Sequence, residues 1–108
     1  LGMPYTSLEK NKIYLPAIKV FCQYKLPVFY DDLIKVVTRV VDLQDVKISF
    51  KHDIFREKEN PREKPALVAL GETEYAFVSE EGKPLVLKKH HPFFWRRLQE
   101  AVDREEEE

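Results

Sequence analysis

Asp31-Asp32-Leu33-Ile34-Lys35-Val36-Val37-Thr38-Arg39-Val40-Val41-Asp42 is the stretch on which the fold turns. Leu33, Val36, Val37, Val40 and Val41 recur at helical spacing, with Lys35, Thr38 and Arg39 between them. Such recurrence marks one apolar face of a helix. Two carboxylates at the start suit a helix N-terminus, where they satisfy free N–H groups and the dipole. The spacing predicts a helix over 31–42 despite its β-branched content, with Leu33, Val36, Val37 and Val40 in the core.

Upstream, Ile18, Val20, Cys22, Tyr24 and Leu26 alternate with Lys19, Gln23 and Lys25, and Phe21 breaks the pattern. Period two with β-branched and aromatic residues reads as a strand. A helix with the stripe Leu15, Ile18, Phe21 and Cys22 is the alternative, and Pro27 ends either version. Downstream, Val46, Ile48 and Phe50 against Lys47, Ser49 and Lys51 read as a second strand. Residues 56–65 hold no apolar side chain and two prolines, so they read as an exposed loop. Ala66 to Leu70 is a strand of the buried type, interrupted by Gly71. Tyr75–Val78 and Pro84–Leu87 flank the hairpin turn Glu80-Glu81-Gly82-Lys83. Pro92 suits the first turn of a final helix whose apolar face is Phe94, Leu98, Ala101 and Val102. No internal repeat is present.

Two architectures fit these elements. One is α+β, a small, mostly antiparallel sheet with two helices on one face. The other takes 14–25, 31–42 and 49–59 as three helices, followed by a hairpin and a last helix. Lys25-Leu26-Pro27-Val28-Phe29-Tyr30-Asp31-Asp32-Leu33 resembles the turn into the second helix of winged-helix domains. Tyr75-Ala76-Phe77-Val78-Ser79-Glu80-Glu81-Gly82-Lys83 resembles the strand and turn of the wing. Against the winged helix, its third helix would have only Phe50, Ile54 and Phe55 to bury.

The 108 residues suit a single domain, 1–108, with a loose arm over 1–12 and an acidic tail over 103–108. Met3 is the expected native start. Charged residues make up 34% but the net charge is only -1, so any charge argument must be local. Few Asn and Gln beside abundant Lys and Glu give a thermophile-like composition. The lone Cys22 excludes an intrachain disulfide and reads as a buried structural thiol. No apolar run approaches the length of about 18 residues that crosses a membrane. With no signal peptide, the expected location is cytoplasmic.

No catalytic set stands out, and the chain is expected not to be an enzyme. It lacks a Gly-rich phosphate loop and a zinc-binding Cys pair, so neither a cofactor nor a metal is expected. A metal site from His52, Asp53, His90 and His91 would need the chain to gather them. Asp53 with Glu57, Lys58, Glu63 and Lys64 is better read as solvated loop charge than as a Mg²⁺-dependent nuclease centre. The densest chemistry is the basic-aromatic segment Lys88, Lys89, His90, His91, Phe93, Trp95, Arg96 and Arg97. Cations attract phosphate, and aromatic faces stack bases or anchor an interface. The bland alternative is a helix-entry turn, with one histidine capping, aromatics partly buried and cations as surface charge. The leading expectation is a nucleic-acid-associated accessory factor with DNA or RNA as partner, although dedicated binders are usually more basic. The alternative is a protein-interaction or assembly subunit, self-associating through the same aromatics.

Overall fold

A computed structural model describes residues 10–107, with side chains through Arg104. Four strands, β1 (Ala17–Tyr24), β2 (Ile34–Gln44), β3 (Lys47–Arg56) and β4 (Ala66–Ala76), form one sheet in the order β1-β4-β3-β2. All three pairings are antiparallel. A single turn of helix, α1 (Leu87–His90), precedes a long helix, α2 (Pro92–Glu107). The α+β expectation with a small antiparallel sheet and two helices therefore holds at that level.

The expected helix over 31–42 is instead a turn followed by β2. Adjacent valines at 36–37 and 40–41 satisfy helical and strand spacing alike. The β-branched run Ile34, Val36, Val37, Thr38, Val40 and Val41 then favours the pleated conformation. The two aspartates do not open a helix. Asp31 takes a left-handed φ of 70°, and the Asp32 carboxylate accepts the Phe29 N–H at 2.6 Å, locking a tight turn. Of the four residues assigned to the core, only Val40 is buried. Val37 is half-buried, and Leu33 and Val36 are exposed. The winged-helix alternative is not supported, because 17–24 and 34–44 are strands and most of 49–59 lies in β3.

Several other expectations stand, but Pro84–Leu87 is not a strand: Pro84 makes only an isolated bridge to Val78, and Leu87 opens α1. β1, the strand at 46–50 (extended to Arg56), the loop after it and the helix from Pro92 are all present. Gly71 does not interrupt β4, which runs through it to Ala76. The turn at 79–83 closes with Ser79 N–H to Lys83 O at 2.8 Å, and Gly82 takes φ 79°. The proposed arm and start lie almost wholly outside the described residues, as do the tail's last side chains.

Register and alternation divide the sheet into two unlike faces. One carries Val20, Cys22 and Tyr24 beside Ala69, Gly71 and Thr73, then Phe50, His52 and Ile54, then Val36, Thr38 and Val40. The other carries Lys19, Glu72, Lys51, Asp53 and Arg39, with the ion pairs Lys47–Glu74 at 2.7 Å and Arg39–Asp53 at 3.6 Å. α2 buries Phe94, Leu98 and Ala101 against one end of the apolar face, in a core with Ile13, Val40, Ile48, Phe77, Leu85 and Leu87. The β-bulge between Val40 and Asp42 lets Val40 and Leu43 both join that core. At the other end the apolar face is open: Val20 is 71% and Tyr24 83% exposed. Cys22 is exposed too, not the buried thiol expected.

Candidate functional site

The structure splits the basic-aromatic segment in two. Phe94 is core, and Trp95 is half-buried against the same cluster. His91 sits just before α2, where its Nδ1 accepts the Phe94 N–H at 3.2 Å, the geometry of an N-terminal cap. Lys88, Lys89 and His90 are exposed on α1. Phe93, Arg96 and Arg97 are exposed on the outer side of α2, with the Arg97 guanidinium 5.7 Å from the Phe93 ring centre. The stretch 88–97 thus divides into capping, packing and solvent-facing roles, because a helix turns successive side chains by about 100°.

A different constellation occupies the apolar face of the sheet. Leu15, Thr38, Phe50, His52 and Tyr75 line a groove of about 340 Å³. His52 projects from the middle of β3. Its Nδ1 lies 2.9 Å from Thr38 Oγ1 on β2, and its Nε2 lies 2.8 Å from Thr73 Oγ1 on β4. A neutral imidazole has one donor and one acceptor, and each hydroxyl can play the complementary part. The triad is therefore self-satisfied. Phe50 stacks near His52 at 6.3 Å and meets Tyr75 edge-on at 5.8 Å. The sequence does not reveal this group because its members lie on three strands, and the structure does not gather His52, Asp53, His90 and His91 as a metal site. Alternation sends the His52 and Asp53 side chains to opposite faces.

The groove's chemistry is narrow. Both His52 nitrogens are engaged, and Asp53, Glu72 and Glu74 belong to the opposite face. On the same face as the groove, the Tyr24 phenol is pushed above its ordinary pKa, chiefly by its hydrogen bond with the Cys22 thiol. Among the described residues no three His, Cys, Asp or Glu side chains gather as a metal site. No helix there is long and apolar enough to cross a membrane. What the groove offers is an apolar wall with a polar stripe, suited to a flat or acyl apolar group.

No protein-family model matches the chain. A curated protein of Aquifex aeolicus (strain VF5) named "Putative esterase" is 29% identical over 56 residues, 52% of this chain and 44% of that protein. The structure of a DHNA-CoA thioesterase from Staphylococcus aureus matches 95% of this chain and 65% of its own at a TM-score of 0.79 and 29% identity. The fold resembles that of hotdog-fold thioesterases. A hypothetical protein of Aquifex aeolicus shares it at a TM-score of 0.71 and 24% identity, over 94% of this chain and 68% of its own. The chain spans less than two thirds of the length of the named esterase and of the Staphylococcus aureus thioesterase.

These likenesses overturn the functional expectation. Neither the nucleic-acid-associated accessory factor nor the non-enzymatic assembly subunit is supported, because the neighbours point to an enzyme. The physical reason lies in the segment that suggested binding. Phe94 and part of Trp95 are spent on the core, and a sheet with an apolar groove lies elsewhere.

Proposed function

We propose that the chain is part of an acyl-thioester hydrolase acting on a coenzyme A thioester. The observation that carries this reading is the match of nearly the whole chain to the Staphylococcus aureus DHNA-CoA thioesterase. The 340 Å³ groove supports it, since small-ligand sites are mostly apolar and about 300–1,000 Å³. In this reading the sheet supplies the wall against which the acyl group lies. The Thr38–His52–Thr73 stripe ties the facing strands together and leaves one hydroxyl proton, on the threonine that accepts from the imidazole N–H, to donate to a carbonyl. Thioester hydrolysis also needs a group that draws a proton from water. Both nitrogens of His52 are already hydrogen-bonded to threonine hydroxyls, which orients the imidazole and does not by itself make it that group. The exposed, unpaired thiol of Cys22 fits a reducing, cytoplasmic location.

The test is release of free thiol from a series of aliphatic and aromatic acyl-CoA substrates by the full-length protein. Hydrolysis above the buffer rate is expected, with Phe50→Ala raising KM most for the bulkiest acyl group. Absence of turnover across the series would refute the reading.

A further inference from the structure

We propose that the outer face of α2 holds the phosphate-bearing adenosine end of the coenzyme A thioester, an inference that rests on the thioesterase reading above. Phe93, Arg96, Arg97, Glu100 and Arg104 line a surface depression of about 390 Å³. They follow one another at helical spacing, so one side of the helix presents all five. Three guanidinium groups stand there against one carboxylate, and no ion pair among the described residues neutralises Arg96, Arg97 or Arg104. Guanidinium forks match phosphate oxygens in pairs, which lysine cannot do.

The aromatic member gives the patch a base-like partner. Phe93 is 57% exposed, an unusual position for a phenylalanine with a core adjacent. Arg97 lies over the ring, and the remaining exposed surface of Phe93 is free to stack a purine. Glu100 would repel phosphate, but a carboxylate accepts hydrogen bonds from ribose hydroxyls. Lys88 and Lys89, exposed on α1, add to the positive field beside the helix start.

Position supports the same occupant. Trp95 and the buried side of α2 pack on the cluster that also holds Leu15, Phe50 and Tyr75, three of the groove's lining residues. The cationic face is therefore the back of the helix that borders the groove. A helix is about 10 Å across. A pantetheine arm, long and flexible, spans that thickness with the thioester at one end and the phosphates at the other.

Calorimetric titration of the full-length protein with coenzyme A and, separately, with pantetheine reads the phosphate contribution directly. The double variant Arg96→Ala with Arg104→Ala is expected to weaken coenzyme A binding roughly tenfold or more while pantetheine binding stays put. Phe93→Ala should weaken coenzyme A further. In the wild type, raised salt should weaken coenzyme A and not pantetheine, a readout that needs no variant. Coenzyme A affinity that ignores both salt and the arginines overturns the proposal, even in a protein that hydrolyses acyl thioesters. Arginine-dependent binding of coenzyme A without turnover leaves the proposal standing and removes the hydrolase reading.

Discussion

His52 shows how one polar side chain can sit on an apolar sheet face without penalty. Each of its nitrogens has a threonine hydroxyl within 3 Å, from the strands on either side. Removing the ring would strand the half-buried Thr73 hydroxyl, at about 1–3 kcal/mol, while the exposed Thr38 hydroxyl turns to water. Gly71 lies opposite His52 in the register. A methyl group there would meet His52 Cβ and Cδ2 at 3.6 Å, ordinary van der Waals distance. The backbone at Gly71 is not left-handed, so no turn requires glycine. Gly71→Ala is therefore expected to raise stability by about 0.5–1 kcal/mol, through the lost freedom of the unfolded chain. Chemical denaturation measures it, and a destabilised variant would mean that the His52 ring must move.

At the scale of elements, β2 decides between the two readings of 31–42. On a helix, Val37 and Val40 would share the buried face. On the strand they part: Val40 is 4% exposed beneath α2, while Val37 pairs with Asp53 on the charged face. Val40→Asp should abolish the cooperative melt, because an unpaired buried charge costs several kcal/mol. Val37→Asp should leave the protein folded, with a modest loss from repulsion by Asp53. Equal damage from both substitutions would contradict the strand. Lys47 adds a smaller effect on β3. Its hydrogen bond to Glu74 raises the ammonium pKa, so the pair's contribution is present below about pH 10.4 and fades as pH rises through the higher folded value.

Across the whole molecule, the sheet is amphipathic and α2 covers only part of its apolar side. β1 is a free edge, and the turn beyond it leaves Phe29 and Tyr30 exposed, Tyr30 at 94%. Contiguous apolar surface on an open edge favours pairing with another chain. We expect a second copy to associate there, rather than through Trp95, which packs inward. Sedimentation should show wild-type mass rising with concentration and Val20→Lys with Tyr24→Lys holding it near the monomer. A wild type that stays monomeric at high concentration would exclude this edge as a self-association surface.

The sequence by itself determined the local features: the strand start near residue 46, the polar loop, the Gly82 turn and the proline-led last helix, with β1 favoured as a strand over a helical alternative. Each rests on neighbours in the chain, whether alternation, a left-handed glycine or a fixed proline φ. It also showed which face of α2 turns inward, since Phe94, Leu98 and Ala101 carry that in their spacing. The paired valines of β2 left helix and strand open, because both periods were written there. Only the cross-strand register chose between them, and only register brought Thr38, His52 and Thr73 together. The groove likewise depends on residues far apart in sequence, so tertiary packing alone could place it, whereas the arginine face of α2 follows from helical spacing within a dozen residues.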